Sequence, residues 1–115
     1  MTFPVIDSRT ETFALTTVKT TFLTPPVGQR YMVTGVELRN KGGVNEALGT
    51  LYRTDASKAD AEYHVSPKDL AVAVGDSRLA RATNLAMNAA DTFSGEASAD
   101  GVLEVDITFY VEDVS

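Results

Sequence analysis

Residues 74 to 79, Val-Gly-Asp-Ser-Arg-Leu, place Ser77 just after an apolar alternating run, the setting in which a hydrolase displays its nucleophile. Such a serine needs a general base within reach and donors for the oxyanion. His64 is the single imidazole of the chain and precedes Ser77, and no histidine follows it. Gly-Asp-Ser also serves as an ordinary turn, the reading favoured here. A metal would want several convergent ligands. The chain holds no cysteine and no second histidine, so His64 reads as a hydrogen-bonded strand residue. Asp55 and Asp60 lack the Asp-x-Asp-x-Asp-Gly spacing of a calcium loop.

Glu104 and Asp106 stand two apart, so on a strand they project from one face side by side. A glycosidase pair must instead flank a bond, about 5–9 Å apart, with one group in an apolar setting. Residues 43 to 49, Gly-Val-Asn-Glu-Ala-Leu-Gly, lack the Lys-Ser/Thr ending of a phosphate loop. Tyr31, Tyr52, Tyr63 and Tyr110 are the residues that would have to converge into a sugar-stacking platform. The residues therefore nominate no catalytic group, no cofactor and no metal ligand, and the chain is read as non-enzymatic.

Composition sets the frame for those side chains. A chain of 115 residues with 43% hydrophobic residues fits one domain, long enough to bury roughly two thirds of its unfolded surface without disulfides. Ten basic and sixteen acidic residues give a net charge of −6, which opposes binding to phosphate backbones and argues against a nucleic-acid partner. No stretch has the length and apolarity of a membrane span, and the first residues lack a secretory pattern, so a soluble protein made in a cytoplasm is expected. The charge is uneven: residues 82–115 hold seven carboxylates and no Lys or Arg, a sum of −7, which leaves 10 − 9 = +1 for residues 1–81. That asymmetry suits either steering toward a basic surface or an acidic outer face that keeps a β protein soluble, the second being favoured.

The elements that must carry these residues are strands. From Leu103 to Val111 the alternation is strict, with Leu103, Val105, Ile107, Phe109 and Val111 on one side and Glu104, Asp106, Thr108 and Tyr110 on the other. Residues 12–23 read as a strand rich in Thr and aromatics, ended by Pro25-Pro26-Val27-Gly28. Arg30–Arg39 reads as another, with Met32, Val36 and Leu38 on one face and Tyr31, Val33, Glu37 and Arg39 on the other. A turn at residues 40–43 and a strand over 47–54 follow, then a loop or single helical turn over 55–62. Residues 63–87 are ambiguous, since Ser66, Pro67 and Asp69 resemble a helix start while residues 70–74 alternate; strands broken at Gly75-Asp76 are favoured over a short helix. Turns at residues 88–91 and 98–101 bracket the strand 92–97.

The sum is an all-β, single-domain antiparallel β-sandwich or small jelly roll of seven or eight short strands over residues 12–115. Residues 1–11 form an N-terminal arm that either pairs at a sheet edge or reaches a neighbour. Its apolar residues Phe3, Pro4, Val5 and Ile6 are the candidate interface.

Residues 22–43, 71–77 and 83–112 together resemble small β-sandwich structural proteins of tailed-bacteriophage virions. The resemblance runs through the Pro-Gly turn at 25–28, the strand ending at Asn40, the turn before Asp91-Thr92, the glycine turn at Gly101 and the last alternating strand. Ala90 stands where that pattern has glycine. The resemblance implies a virion component on the outer capsid surface, a head decoration (cement) protein that binds the major capsid protein or another virion protein. A tail, adaptor or fibre-associated module is the variant reading, and a carbohydrate-binding module the competing one. Homo-oligomerisation, as a trimer, follows only from the resemblance.

Overall fold

The computed structural model describes residues 3–42, 45–81 and 84–115. They form ten strands: β1 Val5–Ala14, β2 Thr20–Leu23, β3 Gln29–Asn40, β4 Ala47–Asp55, β5 Ala61–His64, β6 Leu70–Val72, β7 Ser77–Arg81, β8 Leu85–Met87, β9 Thr92–Ala97 and β10 Leu103–Asp113. All pairings are antiparallel. Sheet 1 runs β1-β10-β3, with β7 and β8 sharing the far edge of β3. Sheet 2 runs β2-β9-β4, with β5 and β6 sharing the far edge of β4. The expected sandwich is present, with ten strands instead of seven or eight because each sheet's outer strand is broken into two short pieces.

The C-terminal alternation translates directly into the core. Leu103, Val105, Ile107, Phe109 and Val111 are all buried along β10, and a side chain of this size gains roughly 1.5–3 kcal/mol on full burial. They meet Leu51 and Phe93 of sheet 2, Leu15 from the β1–β2 crossover, and Val33, Val36 and Leu38 of β3 in one cluster. Gly95 sits in the middle of sheet 2 where a Cβ would lie 2.8 Å from Leu51 Cδ2 and 3.1 Å from Leu15 Cδ2, so a side chain there would force these buried leucines to shift.

Residues 12–23 are not one strand. Leu15 N–H still donates to Leu103 O in sheet 1, while Thr16 O accepts from Ala97 N–H in sheet 2. The chain therefore changes layers between those two residues. The segment expected as an arm is described from Phe3, and from Val5 it runs as the edge strand β1 against β10. Met1 and Thr2 of that segment, and Gly43 of the expected turn at 40–43, lie outside the described residues.

The expected faces of β3 need correction. Tyr31 and Val33 are buried, and so are Val36 and Leu38, while Met32 is only half-buried. The cause is a bulge: Gly35 pairs with Thr108 and Val33 with the next residue, Phe109, leaving Thr34 as the extra residue. One inserted residue shifts the phase of a period-two pattern, so the apolar positions before and after it reach the same core.

Between His64 and Gly75 the residues that resemble a helix cap serve a strand. Ser66 is buried and its hydroxyl accepts from Leu51 N–H at 3.1 Å. Asp69, at φ 54°, is turned into the left-handed region and its N–H donates to the Thr50 hydroxyl at 2.9 Å. Both groups satisfy β4 and not a helix terminus, and β6 follows. Of the expected loop over 55–62, Asp55 ends β4 and Ala61 opens β5, and between them lies a single 3-10 turn at Ala56–Lys58 capped by the Asp55 carboxylate.

Candidate docking surface

The carboxylate-rich outer face of sheet 1 is an ion-paired lattice. Arg39, directly opposite Glu104 across β3 and β10, donates to Glu104 at 3.0 Å and to Asp106 at 2.6 Å. Lys41 adds a 3.3 Å contact to Glu104, and the Thr12 hydroxyl of β1 donates to Asp106 at 2.6 Å. Hydrogen bonding from Arg39 holds the Glu104 carboxyl below the usual carboxylate range, and the same contact raises the Arg39 guanidinium. A general acid needs the opposite shift. Farther along, Arg30 pairs with Glu112 at 2.7 Å. Three of the seven C-terminal carboxylates, Glu104, Asp106 and Glu112, are thus met, strand against strand, by Arg39 and Arg30 of β3.

The remaining chemical candidates are dispersed. Ser77 lies on β7 in sheet 1 and His64 on β5 in sheet 2, so the fold does not assemble a nucleophile and base from them. The His64 ring packs against Tyr52 with centroids 5.3 Å apart. Tyr52 donates its hydroxyl to Glu96, which pushes the phenol up to about 12, and Lys19 lies 4.3 Å over its ring. Asp55 is spent on the 3-10 turn, and Asp60 sits in the turn that follows, at φ 59°. Among the described residues no three His, Asp or Glu side chains are grouped to hold a metal ion.

Tyr31 is in the core against Phe109, 4.8 Å between centroids, while Tyr52 and Tyr63 lie on paired strands of sheet 2 and Tyr110 on sheet 1, so the four tyrosines do not converge. Buried Asp91 accepts from Ala56 N–H at 2.8 Å and Asn88 N–H at 2.9 Å, with Arg53 3.7 Å away. That arrangement ties two loops together. It leaves no open face for a substrate.

Val18, Val74 and Leu79 are exposed singly, whereas one end of sheet 1 exposes several apolar residues. Val5 and Ile6 are 56% and 55% exposed although they open a ten-residue strand. Phe3, half-buried, lies under the Arg30 guanidinium at 4.8 Å, and Pro4 O accepts from Asp113 N–H at 2.9 Å. The end of β10 is gripped from its other side too, since Val114 N–H donates to Gly28 O at 3.0 Å. Gly28, at φ 87°, closes a turn in which Gln29 N–H donates to Pro26 O, and Val27 at its tip is 94% exposed.

Phe3, Pro4, Val5 and Ile6 are therefore joined at the same end by Val27, a residue the sequence reading passed over. An apolar side chain at a Pro-Gly turn tip was the available signal. Beside this end, at the Thr34 bulge, a shallow groove of about 240 Å³ is lined by Ser8, Arg9, Thr10, Thr34, Thr108, Phe109 and Tyr110. It presents hydroxyls and one cation, Arg9, which is paired to Asp7.

No helix among the described residues is long and apolar enough to cross a membrane. No family profile matches the chain, and no curated protein matches it. Among solved structures, one from the work "Bacillus endospore appendages form a novel family of disulfide-linked pili" is similar over all of this chain and 93% of its own, with a TM-score of 0.58 at 12% sequence identity. The likeness is one of fold, an all-β architecture shared with a protein of bacterial appendages.

Proposed function

We propose that this chain is a non-enzymatic structural protein of a tailed-phage virion, of the head-decoration kind, that adheres to the capsid lattice through the end of sheet 1 carrying Phe3, Pro4, Val5 and Ile6. The carrying observation is the exposure of Val5, Ile6 and Val27 together at one end of an otherwise well-filled sandwich. Burying such side chains against a neighbouring subunit removes apolar surface from water at roughly 25 cal/mol per Å². A protein that binds only the assembled lattice stabilises that state by mass action. The scattered tyrosines count against carbohydrate binding.

The test mixes the purified protein with undecorated heads of the phage that encodes it and measures cosedimentation. The triple variant Val5→Ser, Ile6→Ser, Val27→Ser should lose most particle binding while keeping the wild-type melting curve, since all three side chains are solvent-facing. Undiminished binding by the triple variant overturns the assignment. A second reading, a self-assembling fibre subunit, is favoured by the full-length likeness to a pilus structure. With no cysteine in the chain, any such fibre would be held without disulfides. Filaments formed by the purified protein alone in negative stain would select it over decoration.

A further inference from the structure

We propose that β1 is a dimerisation strand, pairing antiparallel with β1 of a second copy of this chain about a two-fold axis centred on Thr10. Three observations carry this. First, β1 ends sheet 1: its ladder partner is β10, and among the described residues its other edge is unpaired. Backbone donors and acceptors along such an edge are a template for another strand. Second, Val5 through Thr10 are exposed, so sheet 2 does not cover this part of the strand and leaves room beside it.

Third, the charges are self-complementary. Asp7, Arg9 and Glu11 alternate in sign at two-residue steps on one face. A two-fold axis normal to the sheet keeps the faces of both copies aligned, so odd residues oppose odd and even oppose even. Centring on Asp7, Arg9 or Glu11 sets identical charges against each other, and centring on Arg9 adds Asp7 against Glu11. Like charges directly opposite are destabilising in a sheet. Only centring on Ser8 or on Thr10 puts Arg9 opposite an acid, and does so twice.

The Thr10 centre gives the longer ladder, from Ile6 opposite Ala14 through Asp7–Phe13, Ser8–Thr12 and Arg9–Glu11. It also keeps Pro4, which has no N–H, and the irregularity between Val5 and Asp7 away from the paired centre. Arg9, already 2.6 Å from Asp7 of its own chain, would then bridge to Glu11 of the second copy. Sheet 1 becomes continuous through both copies, and the apolar ends with Phe3 and Val27 remain free at the two extremities.

The absence of cysteine makes a single introduced thiol an unambiguous reporter. Light scattering of the wild type should give twice the 12.3 kDa chain mass. Thr10→Cys should be captured as a covalent dimer by a short bis-maleimide, and Ser8→Cys much less efficiently. Arg9→Glu should yield monomer, as should Glu11→Arg, and the double exchange should restore the dimer, because it recreates both pairs only in the Thr10-centred register. Ser8, Arg9 and Thr10 are exposed and Glu11 is half-buried, so circular dichroism should confirm that all variants fold. A wild-type monomer, a dimer mass unmoved by both reversals, or more efficient capture of the Ser8→Cys variant than of the Thr10→Cys variant overturns the proposal. None of these readouts depends on whether heads are bound.

Discussion

Arg39 and Glu104 are direct partners across β3 and β10, 3.0 Å apart, and through that contact a strand face full of carboxylates becomes a cross-strand ion lattice. The same guanidinium reaches Asp106, so one cation serves two acids that stand side by side. Removing it leaves two like charges on neighbouring positions of one face.

Arg39→Met should therefore destabilise the protein in a pH-dependent way. The Glu104 carboxyl is lowered in the folded state, chiefly by its hydrogen bond from Arg39. A lowered folded value means stability that is fully present above the unfolded carboxylate range and lost as pH falls through the folded value. The Tm gap between wild type and variant should be a few degrees at pH 7 and should close as Glu104 is protonated in acid. A gap that stays constant from pH 7 to pH 2 would show that Arg39 contributes packing and not charge.

Gly95→Ala should cost about 1–3 kcal/mol, the usual penalty for overfilling a packed core. The added methyl would meet Leu51, Leu15 and Phe22 at once, from three different elements, so no single side chain can yield. Denaturant titration would read this as a lower midpoint with an unchanged slope. Pairing the change with Leu51→Val, which trims the nearest obstacle, should recover part of the loss.

Ala90→Gly should be neutral or raise stability by about 0.5 kcal/mol. Ala90 is at φ 71°, in the left-handed region where a Cβ costs roughly 1–2 kcal/mol, against an entropic cost of about 0.4–1 kcal/mol for glycine in the unfolded chain. Ala90→Val, which adds β-branching at the same angle, should lower Tm. A thermal melt of the three forms checks the order Gly, Ala, Val.

That residue also shows how much of the fold the sequence makes legible. The turn pattern before Asp91 has glycine where this chain has Ala90, and the backbone there takes the conformation a glycine would favour. The burial of Leu103 through Val111 follows directly from period two. Tyr31 and Val33 could not be placed with Val36 and Leu38 from alternation, because the bulge at Thr34 is a property of the pairing with β10 and has no local signature. Ser66 and Asp69 carried a helix-start signal that Leu51 and Thr50, distant in sequence, redirected. Of the docking end, Phe3 to Ile6 stood out by composition. Val27 joins them only because β3 and β10 bring its turn beside Asp113 and Pro4.

Because Val5 lies opposite Glu112 and Pro4 is bonded to Asp113, β1 and β10 open toward the same side of the molecule. Tension applied between Phe3 and Val114 would load the ladder at that mouth and part its rungs in succession, like a zip, where tension along opposed ends would strain all of them together. A subunit tethered at both points would yield to small pulling forces by peeling its first strand. The same residues clamped by a neighbour would close the mouth and make the subunit mechanically stiffer.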